Sequence, residues 1–184
     1  VVNAGVNGYG IDQAVLMWEH HGRHLAPCLV VLTYYVDDYF RNGLHVREGP
    51  KPRFVEVPSS RQFELLGPQQ SLLKASDDAA REASRLRLAQ LTALAWERLR
   101  HRFGLLDEGT LQPLARTSRF LLERLQRSVD ASGSRLVVMF IGHARDGAHE
   151  HRWIEADVMR TCSELGIDCL NMARDMTGPD RRAH

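Results

Sequence analysis

Four short runs of the chain are apolar on consecutive residues rather than on alternate ones. They are Val1 to Asn3, Leu29 to Tyr35, Arg135 to Ile141, and Ile167 to Met172. Continuous apolar runs are typical of strands that are covered on both faces, as in a parallel sheet. The pattern therefore predicts four buried strands that run parallel to one another.

Helical spacing of apolar residues fills most of the chain between these runs. Helices are predicted from Asp12 to His21, Asp77 to Arg102, Leu111 to Val129, and Trp153 to Leu165. Because strands and helices alternate, the predicted fold class is α/β, with a doubly wound, flavodoxin-like parallel sheet and helices on both faces in three layers. No internal repeat or linker divides the chain, so residues 1–184 are expected to belong to one domain.

The segment 41–70 interrupts this alternation, because prolines and glycines lie among mostly polar residues there. Such a composition predicts a long loop with little regular structure. Long loops in compact domains often cover or bind a ligand. The segment is therefore a candidate lid.

Charge and cysteine content narrow the function classes. The 24 basic and 23 acidic residues leave a formal net charge of +1, which gives no electrostatic reason to expect nucleic acid as a partner. No apolar run approaches the length of a membrane span.

The three cysteines, Cys28, Cys162 and Cys169, lack a metal-binding or redox spacing. A bridge between the last two is conceivable, but buried small side chains are the favoured interpretation. The sequence predicts no cofactor, and it leaves the compartment and the oligomeric state open.

Two loops carry the candidate chemistry. The first, Asn3 to Gly10, lies between a predicted strand and a helix, and three interpretations fit its glycines. They can supply positive φ in a tight turn, form a dinucleotide loop (although the order is GxxGxG), or present a backbone N–H to an oxyanion. The second loop holds Asp37 and Asp38 after the strand Leu29 to Tyr35. A solvated turn is by itself a sufficient explanation of that pair.

Together, VVNAGVNGYGIDQ and LVVLTYYVDDYFRN resemble the SGNH (GDSL-type) hydrolase superfamily, which pairs an N-A-G-x-x-G turn with an N-D at the end of the next strand. The resemblance places Gly8, preceded by Asn7, at the oxyanion glycine of that family. It places Asp37 at the oxyanion asparagine and Asp38 at the aspartate that follows. The function it implies is serine-dependent hydrolysis of an acyl ester of a small molecule, lipid or carbohydrate.

The sequence also departs from that family. It contains no Gly-Asp-Ser, and Asp180 and His184 are four residues apart where the family has Asp-x-x-His, so no catalytic residue is identified. The resemblance thus implies a partial domain, incomplete at its N-terminal strand and inactive alone. An ionised Asp37 accepts hydrogen bonds and cannot donate one to an oxyanion. A non-catalytic ligand-binding or accessory domain on the same scaffold is the alternative.

A histidine-rich loop offers a third hypothesis, a zinc site formed by His143, His149, Glu150 and His151. His-x-His on an extended segment can bind zinc. Other histidines are scattered along the chain, so a polar loop is the favoured interpretation. No metal site is predicted.

Three tyrosines near the second loop are candidates for the wall of an acyl pocket. They are Tyr34, Tyr35 and Tyr39. Aromatic residues are also common at half-buried strand ends for reasons of packing alone. Both interpretations fit the sequence.

Overall fold

A computed structural model describes residues 1–44, 50–68, 70, 108–142 and 149–172. Four α-helices lie in these ranges: α1 Ile11–His20, α2 Val36–Arg41, α3 Glu108–Ala131 and α4 His149–Leu165, and a short 3-10 helix spans Gly22–Leu25. Five strands accompany them: β1 Leu29–Tyr35, β2 Arg53–Glu56, β3 Phe63–Leu66, β4 Arg135–Ile141 and β5 Asp168–Asn171. Helices were predicted at the positions of α1, α3 and α4, and the structure confirms them. The predicted helix from Asp77 to Arg102 lies outside the described residues.

The main sheet has three parallel strands in the order β1-β4-β5. Leu29 pairs with Arg135 at one end of β1, and Tyr35 pairs with Ile141 at the other. The fold class α/β with a parallel sheet is therefore confirmed. β1 and β5 are the edge strands, so the outer edge of β1 has no partner strand among the described residues.

The predicted strand Val1 to Asn3 is wrong. These residues are exposed and lie in no strand. A strand requires a neighbour for its backbone N–H and C=O groups, and in the described part of the chain none lies beside them.

The described helices cover one face of the main sheet. Leu32, Tyr34, Val138 and Phe140 point to that face and pack in one core with side chains of α1, α3 and α4. On the opposite face, Leu29, Val31 and Leu170 are exposed. The expectation of two covered faces is thus not met by the described residues, and the doubly wound, three-layer arrangement stays a prediction.

The segment 41–70 contains a β-hairpin, so the expectation of little regular structure there is wrong. β2 and β3 pair antiparallel, from Arg53 with Leu66 to Glu56 with Phe63. Apolar side chains dock this hairpin on α3: the rings of Phe63 and Phe120 stack with centroids 4.3 Å apart, and Phe54 is 3% exposed. Its role as a lid stays a prediction.

Cys162 in α4 and Cys169 in β5 form a disulfide with an Sγ–Sγ distance of 2.09 Å. The sequence left this bridge open but favoured small buried side chains, and the structure shows the bridge. Cys28 is free and exposed, so it is not a buried side chain. None of the described helices combines the length and the hydropathy that a bilayer crossing requires.

Candidate functional site

The glycine-rich turn before α1 has the geometry that its sequence suggests. Gly8 adopts φ +84°, a region that residues with a side chain seldom occupy. The Tyr9 N–H donates to the Val6 carbonyl oxygen at 3.3 Å and closes the turn. Gly8 is half-buried and Asn7 is exposed. The positive φ therefore explains why glycine stands at position 8.

Gly10 lets the start of α1 approach the end of α2. A Cβ atom at Gly10 would lie 2.8 Å from Asp12 Oδ1 and 3.1 Å from Asn42 Oδ1. Asn42 Oδ1 also accepts a hydrogen bond from the Asp12 N–H at 3.3 Å. Gly10, the last residue of the first loop, thus lies against Asn42, the residue that follows α2.

Asp37 and Asp38 lie in the first turn of α2, not in a solvated turn at a strand end. Asp38 is buried: Oδ2 accepts from the Tyr35 N–H at 3.0 Å and Oδ1 from Arg41 Nη1 at 2.6 Å. Burial raises the pKa of Asp38, and the Tyr35 N–H and the Arg41 charge act in the opposite direction. Both oxygens of Asp38 are therefore engaged in holding the start of α2.

Asp37 is the member of this pair that solvent reaches, with 44% of its side chain exposed. Its Oδ2 lies 3.6 Å from Arg41 Nη2. An ionised carboxylate only accepts hydrogen bonds, whereas an amide also donates them. Asp37 therefore has a carboxyl group at the position where the SGNH pattern has an amide donor.

A buried ion pair lies just behind the glycine turn, and sequence reasoning missed it. Lys51 Nζ donates to Asp12 Oδ2 at 2.5 Å, and the side chains are 5% and 0% exposed. The Gln13 N–H donates to Asp12 Oδ1 at 2.8 Å. Burial raises the pKa of Asp12, and the Lys51 charge opposes that shift. Both oxygens of Asp12 are thus held in place.

The tyrosine pocket hypothesis is wrong for two of its three members, because Tyr34 and Tyr39 are 0% exposed. The Tyr34 hydroxyl lies 2.8 Å from Ser118 Oγ, and the Tyr39 hydroxyl donates to Asp157 Oδ2 at 2.8 Å. Burial raises the pKa of both phenols well above the usual range. Tyr35 is half-buried beside α2.

Several sequence candidates lie outside the described residues. These are His143, Asp180 and His184, together with the side chains of His149, Glu150 and His151. In the described ranges, no group of three or more His, Cys, Asp or Glu side chains is placed to hold a metal ion.

Comparison with known proteins found no match: no protein-family model, no curated protein and no solved structure is significantly similar to this chain.

Proposed function

We propose that this chain forms part of an SGNH-type hydrolase that cleaves acyl esters, within a doubly wound sheet of three layers. The observation that carries the proposal is the packing of Gly10 against Asn42, which brings the Gly8 turn and α2 together. This contact lies next to the Gly8 turn and to α2, the helix that holds Asp37, and it supports a shared site for the two. Ligands of parallel α/β sheets bind at the carboxyl ends of the strands.

In this proposal, a serine and a histidine supplied by the complete reading frame perform the acyl transfer. The serine hydroxyl oxygen attacks the ester carbonyl while the histidine takes the hydroxyl proton. The histidine then gives this proton to the alcohol, which leaves. Water hydrolyses the acyl-serine, which releases the acid and restores the serine. The Gly8 N–H stabilises the oxyanion. A single donor of this kind contributes about 10²–10³ in turnover, so the Asp37 carboxylate slows the reaction.

The test compares the product of the complete reading frame with its Asp37→Asn variant on p-nitrophenyl acetate, butyrate and octanoate. Asparagine restores a donor and removes the charge, so we expect kcat/KM to rise by about 10²-fold. Asp130→Asn is the matched control, because Asp130 is exposed on α3, and it should leave turnover unchanged. Absence of turnover from both wild type and Asp37→Asn would overturn the proposal.

A second candidate function is ligand binding without catalysis, on the same scaffold. The ion pair between Asp37 and Arg41 favours it, because a carboxylate paired with a guanidinium offers no hydrogen-bond donor to an oxyanion. Calorimetry with octanoic acid and octanamide distinguishes the two functions. Saturable binding without ester turnover supports the binding domain, and turnover of any of the three esters excludes it.

A further inference from the structure

The hairpin and the residue leading into it contact both halves of the proposed site. Lys51 reaches α1 through Asp12. Two residues further along, Arg53 Nη1 donates to the Gly43 carbonyl oxygen at 3.3 Å, just beyond the end of α2. One short segment thus bonds to the start of α1 and to the residues that follow α2.

The energetics of this junction argue against a purely stabilising role. A buried lysine is rare, and taking both charges of an ion pair out of water costs about as much as their attraction returns. Among the described residues, Arg53 Nε is also buried without a hydrogen-bond partner. An unpaired buried donor reduces stability. The junction therefore keeps a defined geometry at some cost in stability.

We propose that Lys51 and Arg53 are positioning residues: Lys51 fixes the Gly8 turn through Asp12, and Arg53 fixes the end of α2 through Gly43. Their importance for catalysis rests on the proposed function. The positioning itself is a property of residues 1–184 and is measurable without any turnover.

The test is amide hydrogen exchange in residues 1–184 with Lys51→Met. We expect exchange at the Asp12, Gln13 and Ala14 amides to rise at least about tenfold, because Asp12 loses its cation. Core amides of α3 should keep their wild-type rates after correction for global stability. The Gly8 amide resonance should shift.

The matched control is Arg61→Met, which removes a cation from the same hairpin. Arg61 is 76% exposed and lies 3.9 Å from Glu56, so its loss should change neither the α1 exchange nor the Gly8 resonance. A uniform rise in exchange across α1 and α3 in Lys51→Met would show that Lys51 contributes only to the global stability of the protein. That result would overturn the inference. An unchanged Gly8 resonance would also overturn it.

Two further variants keep the inference testable if Lys51→Met does not fold. Asp12→Asn combined with Lys51→Met removes both charges, so no unpaired carboxylate stays buried. We expect this double variant to show the same rise in amide exchange at positions 12 to 14. Arg53→Met should speed exchange at the Asn42 and Gly43 amides, which donate to Asp38 and Phe40 carbonyl oxygens. Wild-type exchange at those amides would overturn the part played by Arg53.

Kinetics separate this inference from the proposed function. Where ester turnover is detected, Lys51→Met should lower kcat at least about tenfold and leave KM within about twofold, as expected when a group that acts in the transition state is misplaced. Absence of turnover would count against the proposed hydrolase function. The exchange result would still decide whether Lys51 and Arg53 are positioning residues.

Discussion

The two faces of strand β1 differ sharply in burial although both are apolar. Leu32 and Tyr34 are 9% and 0% exposed beneath the helices, whereas Leu29 and Val31 are 51% and 53% exposed. These residues alternate along one strand, so composition does not distinguish them. The difference shows that an uninterrupted apolar run indicates a strand, but does not by itself establish that both faces are covered.

The same contrast extends across the sheet. Val138 and Phe140 in β4 are 0% and 1% exposed on the helical side, whereas Leu170 in β5 is 52% exposed on the other side. We call the side formed by Leu29, Val31 and Leu170 the open face. If the open face is exposed to solvent, truncating its side chains costs little stability. Truncating side chains on the helix-covered face costs more, and the two losses can be compared by measurement.

The largest expected difference comes from the matched substitutions Val138→Ala and Val31→Ala. Val138→Ala removes buried methyl groups and leaves a cavity, so we expect the free energy of unfolding to fall by about 2–3 kcal/mol. Val31→Ala should change it by less than about 1 kcal/mol. Urea denaturation followed by circular dichroism measures both. Equal losses would show that the open face is covered in the folded protein.

A smaller effect is expected from removing one hydroxyl on each face. Tyr34→Phe leaves Ser118 Oγ buried without its partner, so it should cost about 1–2 kcal/mol. Thr33→Val, at the adjacent exposed position, should stay within about 0.5 kcal/mol. The same denaturation experiment checks the pair, and a larger loss for Thr33→Val would contradict the assignment of faces.

The smallest effect concerns the pH dependence of stability that comes from Asp38, the buried carboxylate in the first turn of α2. Burial raises the pKa of Asp38 in the folded state above its value in the unfolded chain, despite Arg41. The folded state therefore binds this proton more tightly, and folding gains stability as pH falls through the folded pKa towards 3.8.

The measurement is the stability difference between wild type and Asp38→Asn at pH 7 and near pH 4. We expect the difference to shift in favour of the wild type at the lower pH, because asparagine does not titrate. The neighbouring Asp37 and Arg41 are unchanged in the variant, so their effects largely cancel. A shift in the opposite direction would mean that Arg41, rather than burial, dominates the environment of Asp38.

Much of the fold could be predicted because its elements are locally encoded. The β-branched and aromatic residues of β1 and β4, and the helical apolar spacing of α3, each indicate one element without knowledge of the rest. The hairpin was missed because the prolines and glycines around it dominated the composition. The aromatic Phe54 and the β-branched Val55, side by side in β2, were its local signal.

The candidate site was less predictable, because its contacts join distant parts of the chain. Gly8 could be recognised from its turn, since positive φ has a signature in sequence. The pairing of Lys51 with Asp12 spans 39 residues, and most lysines are exposed, so no local pattern indicates it. The burial of Tyr34 and Tyr39 likewise depends on partners in α3 and α4.

The outer edge of β1 has a practical consequence. Seven residues of backbone there have no partner strand among the described residues, and such an edge is a template for another extended chain. Where this edge is free in solution, concentrated samples favour pairing between molecules along it. Light scattering that rises with protein concentration would reveal it, and dilute samples give the cleanest exchange and binding data.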